Sequence, residues 1–359
     1  MFLSLREIRH SKLRFALITG VIIMVSSLVF ILSGLANGLA TGNSAALDAL
    51  PADSIIVSSG SDYQLDRSSL SMDILSEVRE QEGVADASPF GASAANVRQQ
   101  DSDDIIGISM LAVDPDGFAA PEPEEGDALG SSDTGVVIDQ TLVDEGVAIG
   151  DTLLTDPGNM ELTVVGTVSG RSYRLSPTLY IPITLWQEVQ SQGNGRQGSD
   201  INAVLVQGEA EPPENTMVAS KSEIIENLPG YSEQALTLLL IQVFLVVIAA
   251  GIVASFFYII TLQKMPELGV MKAIGTKTGY LARALIVQVV LLALVGVIIG
   301  TAIACIVQIV IGTAVPFDLD TGQFFIFGGI LLVVAILGTM LSLLRVARVD
   351  PLDAINNAG

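Results

Sequence analysis

Cysteine, histidine and tryptophan each occur once in 359 residues. A single cysteine, Cys305, allows no disulfide within the chain, so any domain facing an oxidising space must be held by its core. One His and one Cys also exclude a Cys/His zinc centre. There is no Gly-x-Ser-x-Gly elbow. "GTKT" at 275–278 lacks the glycine spacing of a phosphate loop. No catalytic constellation is present, and the chain carries no nucleotide engine of its own.

Positive charge is the next scarcity. Seventeen Lys and Arg stand against 39 Asp and Glu, a net of −22. Four stretches hold no charge of either sign: 15–47, 234–263, 284–317 and 321–344. Each exceeds the ~20 residues that cross a bilayer as a helix. Mean hydropathy is +0.57, too high for an ordinary soluble domain. Unpaired backbone groups are not tolerated in lipid, so such runs must be helical. The sequence predicts four membrane helices at 15–37, 234–260, 281–312 and 323–344. The apolar part of the first run outlasts a signal-peptide core and reads as an uncleaved anchor.

The few bases set the orientation. Nine of the 17 fall in three short segments, 1–14, 261–280 and 345–359, and Arg283, just past the second, makes ten. Alternating spans put all three on one side, which is then the cytoplasm. Both termini are expected inside the cell membrane, and residues 38–233 and 313–322 outside. Segment 38–233 has 33 acids and 7 bases, a net of −26. Such a surface excludes nucleic acid as a partner and stays soluble. Residues 2–13, "FLSLREIRHSKL", have apolar positions among bases and predict a short helix lying on the inner lipid surface, or simply a basic flank.

Within 38–233, "SIIVSSG", "IIGISMLAV", "GVVID", "ELTVVGTV", "TLYIPI" and "INAVLVQ" predict strands. "SSLSMDILSEVREQEG", ended by Gly83, and "SKSEIIENL" predict helices. "DPDGFAAPEPEEGDALGSSD" predicts an exposed loop, with a division into two subdomains near residue 120 left open. The fold class is a membrane protein with four transmembrane α-helices and a large extracytoplasmic α+β domain between helices 1 and 2. Helix 2 is long: 30 charge-free residues span roughly 45 Å at 1.5 Å each, against a hydrocarbon core of roughly 30 Å. It either tilts or continues outward as a stalk. Gly296 and Gly300 in helix 3 permit close helix approach, within the chain or between copies.

The break between helices 2 and 3, "KMPELGVMKAIG" at 264–275, predicts a short cytoplasmic helix. Pro266 suits its first turn, Glu267 complements its positive end, and Gly275 stops it. Leu268, Met271 and Ile274 form one apolar edge. The residues alone leave two readings: a hairpin that docks into a groove on a soluble protein, or a turn whose lysines meet lipid phosphates.

The same segment resembles the R-x-x-E-[IL]-G-[IV]-x-[KR]-A-[IL]-G signature of MacB/FtsX-type permeases of ATP-binding-cassette systems. Lys264 stands for the usual arginine; Glu267, Gly269, Lys272, Ala273 and Gly275 match. "RVDPLDAI" at 348–355 is similar to the family's terminal motif, and the layout of four helices with one large outer domain agrees over the whole chain. The resemblance implies that Lys264, Glu267, Leu268, Gly269, Met271, Lys272 and Gly275 couple the permease to a separate ATPase. It also implies that two permease copies pair with two ATPases, which bind the ATP, and that force travels along stalk helices rather than cargo through a channel. The start, "REIRHSKLRF" with "SSLVFILSGLANGL", resembles the permeases of bacterial haem exporters. That implies haem as the exported substrate. The alternatives are another amphipathic cargo, such as a lipid, glycolipid, peptide or drug, or a non-transport transducer acting on a cell-wall hydrolase.

Haem iron takes His, Cys, Met or Tyr as axial ligand. His10 sits in the basic cluster and Cys305 inside helix 3. Tyr231 and Glu233, where helix 2 meets the outer surface, are the leading candidates, although Tyr also anchors helices at that depth. Met24 lies deeper, in helix 1. "GRSYRLSP" at 170–177 holds Arg171, Tyr173 and Arg174. Arginine forks suit propionates, but they equally suit the domain's own surplus acids.

Overall fold

The computed structural model describes residues 12–100, 102–194, 200–263, 271, 274, 276, 278–311 and 315–347. From the N-terminus, helix α1 (Lys12–Asp48) leads to β1 (Ser54–Ser58), a 3-10 turn (Leu65–Arg67), β2 (Leu70–Ser71), α2 (Met72–Arg79), β3 (Val84–Gln99) and β4 (Ile106–Val113). Then come β5 (Glu125–Gly126), β6 (Gly135–Asp139), α3 (Gln140–Asp144), β7 (Thr152–Asp156), β8 (Glu161–Val168), β9 (Thr178–Pro182) and α4 (Ile183–Asn194). β10 (Asp200–Ile201), β11 (Ala203–Gly208), β12 (Thr216–Ala219) and α5 (Lys221–Glu226) complete this domain. Helices α6 (Tyr231–Gln263), α7 (Thr278–Ile311) and α8 (Thr321–Ala347) follow.

The chain forms two compact units, residues 39–235 and residues 1–38 with 236–359. Four helices are long and apolar enough to cross a membrane: Phe15–Asp48, Tyr231–Phe256, Ala282–Ile311 and Thr321–Met340. α1 does not stop near residue 37, as the hydropathy suggests, but runs unbroken to Asp48. "ATGNSAALD" contains no Pro and enough alanine to keep the helix going. The surface helix expected at 2–13 lies, up to residue 11, outside the described residues.

The α+β unit is built on one ten-stranded sheet in the order β12-β1-β11-β3-β4-β9-β6-β8-β5. β7 pairs with both β3 and β8, so β3, β4, β9, β6, β8 and β7 close into a ring, a six-stranded barrel. Strands from both sides of residue 120 share this sheet, which excludes a division there. Period-two alternation then sorts the side chains. Ile108, Met110, Val136, Ile138, Leu179 and Ile181 belong to one apolar cluster. Their neighbours Leu111, Val113, Val137 and Tyr180 belong to a second, as alternate faces of a strand require.

That second cluster matters for function. Ala46, Leu47 and Leu50 from the end of α1 and Ile224, Ile225 and Leu228 from the approach to α6 also belong to it, with Tyr231 packed against its edge. The barrel's second face, the end of α1 and the start of α6 thus share one core.

Two local expectations change. α2 begins at Met72, capped by Ser71 whose side chain accepts from Asp73 N, and its C-cap is Glu80 rather than Gly83. The Pro/Gly/acid-rich segment at 114–133 is not wholly exposed: Ala119 and Leu129 are buried in the second cluster.

Candidate functional site

The end of α1 is held from two directions. The first is the β8–β9 connection, which contains Arg171, Tyr173 and Arg174. Leu175 N donates to Gly42 O at 2.9 Å, Arg174 N to Asn43 O at 3.1 Å, and Ala46 N to Ser172 O at 3.0 Å. Tyr173 is 2% exposed in the shared cluster. Burial pushes its phenol well above the ordinary 10.0; Asp66 adds to the rise and Arg174 opposes it. The Arg174 guanidinium pairs with Asp66 on the 3-10 turn. Arg171 donates its backbone N to Asp139 Oδ1 at 2.9 Å, and its side chain hydrogen-bonds Tyr180. Burial pushes the Tyr180 phenol up to about 12; Arg171 lowers it and Asp139 raises it. Buried Asp139 also caps α3, accepting from Thr141 N.

The second hold comes from α5. Lys221 Nζ donates to Leu50 O at 2.9 Å and to Asp48 O at 3.4 Å, a cation on the negative end of α1. α5 is set by a capping box between Ser220 and Glu223. The hydrogen bonds from Ser220 N and Oγ hold the exposed Glu223 carboxylate below its ordinary range. Gly230, at φ +79, lets the chain turn into α6. Asn43 Nδ2 reaches Gln234 Oε1 at 3.5 Å, which joins the two helix ends directly.

Of the residues singled out for haem, the structure brings Arg171, Tyr173 and Arg174 to the end of α1, one residue, Asn43, away from the start of α6 that holds Tyr231 and Glu233. The Arg171 side chain is engaged by Tyr180 and that of Arg174 by Asp66, and Tyr173 is inside the core. Tyr231 is half-buried, and Glu233 accepts from Ser232 Oγ at 3.1 Å. Met24 is 74% exposed on α1.

The membrane unit is organised around α1 as well. Gly296 and Gly300 of α7 lie against Ile22 and Ser26, so this small-residue pair serves packing inside the chain. Ser26 Oγ is 3.1 Å from Gly296 O. Gly34 and Gly38, unremarked in the sequence, face Phe317 and Pro316 of the α7–α8 loop. Asp318 N donates to Gly34 O at 3.0 Å. Asn37 Nδ2 donates to Asp318 Oδ2 at 2.9 Å, and Ser33 to Gln323. A four-residue spacing of small residues in "SGLANG" is the signal that would have found this contact. Of the coupling segment, Lys264, Glu267, Leu268, Gly269, Lys272 and Gly275 lie outside the described residues. Met271 O accepts from Thr276 N at 3.0 Å, and Ile274 is 80% exposed.

These features define a multi-pass membrane protein with an extracytoplasmic α+β domain inserted between its first and second spans. Residues 15–222 match the MacB-like periplasmic core domain and residues 239–351 the FtsX-like permease C-terminal domain. The chain belongs to this family and is an ABC transporter permease of the MacB/FtsX type. A Staphylococcus haemolyticus protein, provisionally named hemin transport system permease protein HrtB, is 26% identical over 355 residues, 99% of each chain. A Staphylococcus epidermidis protein of the same provisional name is 25% identical over 365 residues, again 99% of each. An uncharacterized ABC transporter permease of Mycobacterium tuberculosis is 23% identical over 355 residues, 98% of each chain. Among solved structures, the periplasmic region of MacB from Actinobacillus actinomycetemcomitans is 15% identical, with a TM-score of 0.36, covering 51% of this chain and 96% of that one.

Proposed function

We propose that this chain is one of two permease copies in an ATP-driven exporter, and that its cargo is haem taken from the membrane. The observation that carries the cargo is the end-to-end similarity to staphylococcal proteins named for hemin transport, through spans and domain alike. Two separate ATP-binding subunits are assigned to the cytoplasmic side, against residues 264–275. The clustering of bases puts that segment and both termini there. α1 and α6 each run without a break from an apolar span into residues of the α+β unit. They are the natural levers for a stroke that begins at the ATPases.

Free haem is planar, apolar and dianionic at its propionates, so it arrives from lipid rather than water. In this reading it enters laterally between two copies near the outer ends of α1 and α6. Tyr231 or Glu233 ligates its iron there, with Met24 as a deeper alternative. The test is haem titration of the purified permease paired with its ATPase, followed by absorption spectroscopy. The wild type should give a bound-haem spectrum, and Tyr231→Phe or Glu233→Gln should alter it. A spectrum unchanged in both variants removes these ligands; no binding by the wild type removes haem.

A further inference from the structure

In the last turns of α1, the groups that close a helical turn have partners in a loop. Ala46 N, whose partner in a regular helix is the Gly42 carbonyl, donates to Ser172 O. The Gly42 and Asn43 carbonyls accept from Leu175 and Arg174. Arg174 and Leu175 both have φ +56, a left-handed conformation uncommon outside glycine. Two such residues in succession persist only where the surroundings dictate them. Here Tyr173 is driven into the core between β8 and β9, and Arg174 is tied to Asp66. The loop joins two strands of the barrel directly. A displacement of the α1 end therefore reaches β8 and β9 without passing through a side-chain contact.

We propose that loop 171–176 is the clip that makes the end of α1 move with the barrel, and that Arg174 is its positioning residue. This rests on the reading above, in which ATP-driven motion travels along α1. The Arg174–Asp66 pair, not the backbone bonds, is what selects the left-handed geometry. Without it the loop relaxes and three backbone bonds lose their alignment together. Lys221 still holds the helix terminus, so the fold survives while the stroke is lost.

The experiment uses the full permease with its ATPase in liposomes and compares wild type, Arg174→Ala, Asp66→Asn and the swap Arg174→Asp/Asp66→Arg. Four quantities are read: haem affinity, haem exported per ATP, amide hydrogen exchange of peptides covering 170–176, and the unfolding midpoint of the single tryptophan, Trp186. In either single variant, export per ATP should fall about tenfold, within the range of a coupling contact. The clip amides should exchange about tenfold faster, and affinity and the Trp186 midpoint should barely move. The swap should restore both export and protection. Wild-type export per ATP in both single variants overturns the proposal, as does unchanged exchange over 170–176. A misfolded Arg174→Ala leaves the decision to Asp66→Asn, which keeps the side-chain shape. A wild type that exports no haem defeats the cargo assignment, and the exchange arm, run with ATP alone, then decides the clip by itself.

Discussion

Tyr173 carries a phenol oxygen into a hydrocarbon cluster, and that oxygen has no hydrogen-bond partner among the described residues. A buried polar group left unpaired costs about 1–3 kcal/mol, and removing it while keeping the ring recovers part of that. Tyr173→Phe should therefore stabilise the α+β domain by about 1 kcal/mol, read as a higher urea midpoint of Trp186 fluorescence. A loss of that size would show that the hydroxyl is satisfied. Tyr180 makes a prediction in pH. Its folded pKa is about 12 against an ordinary 10.0, so above pH 10 the unfolded chain gives up a proton that the folded one keeps. Stability contributed by Tyr180 is complete below pH 10 and is lost as pH rises from 10 to 12. Alkaline titration at the tyrosinate band should show Tyr180 ionising late, and Tyr180→Phe should flatten that loss. The "GRSYRLSP" island was legible as chemically special, because two of the domain's seven bases sit in it. What it does was not legible. Which acids the arginines meet depends on Asp66 and Asp139, more than 30 positions away in either case.

At the scale of elements, strands with β-branched alternation announced themselves: β6 and β8 fall where "GVVID" and "ELTVVGTV" stand. β3, the longest strand, was invisible. "VADASPFGASAANVRQ" is rich in Ala, Ser and Gly and contains Pro89, all of which argue against a strand. The structure shows why it is tolerated. Pro89 stands one residue before the β4 ladder begins at Phe90, where β3 is paired only with β11. Gly91 has Trp186 lying against it, so the small residue makes room for the domain's largest side chain. The length of α1 was likewise hidden, because hydropathy marks where lipid ends and not where a helix does. The glycines of α1 give the element-scale prediction. A Cβ on Gly38 would lie 2.3 Å from Pro316 O, and one on Gly34 2.6 Å from the Phe317 ring; Gly20 has nothing within 4 Å. Backbone cannot step aside as a side chain can. Gly38→Val should cost about 1–3 kcal/mol by overpacking, Gly34→Val somewhat less, and Gly20→Val close to nothing. Cys305, the only thiol, lies partly buried in α7. Its reaction with a thiol dye on heating reports the loss of this packing.

For the whole molecule the legible quantity is charge. An apolar frame with nine bases in three short segments, joined to a domain of net −26, marks the parts that meet lipid and carries the expected orientation of the rest. It does not say what drives the molecule. On the proposed function the stroke comes from a separate ATPase and enters through a contact, and the sequence of 264–275 is the candidate for it. In the short helix that the sequence predicts there, Glu267 falls in the first turn, at the positive end. Glu267→Lys reverses that charge and leaves the apolar spans untouched. Gly269→Leu adds bulk where a docking surface needs close approach. Both variants should insert and fold normally, by Trp186 fluorescence and Cys305 reactivity, while complex formation with the ATPase or cargo-stimulated hydrolysis falls by about tenfold, again the size of a coupling contact. The purified permease without its partner should show no nucleotide turnover. Normal assembly and transport in both variants would reduce the segment to a turn on the lipid surface, and turnover by the permease alone would overthrow the division of labour between the subunits.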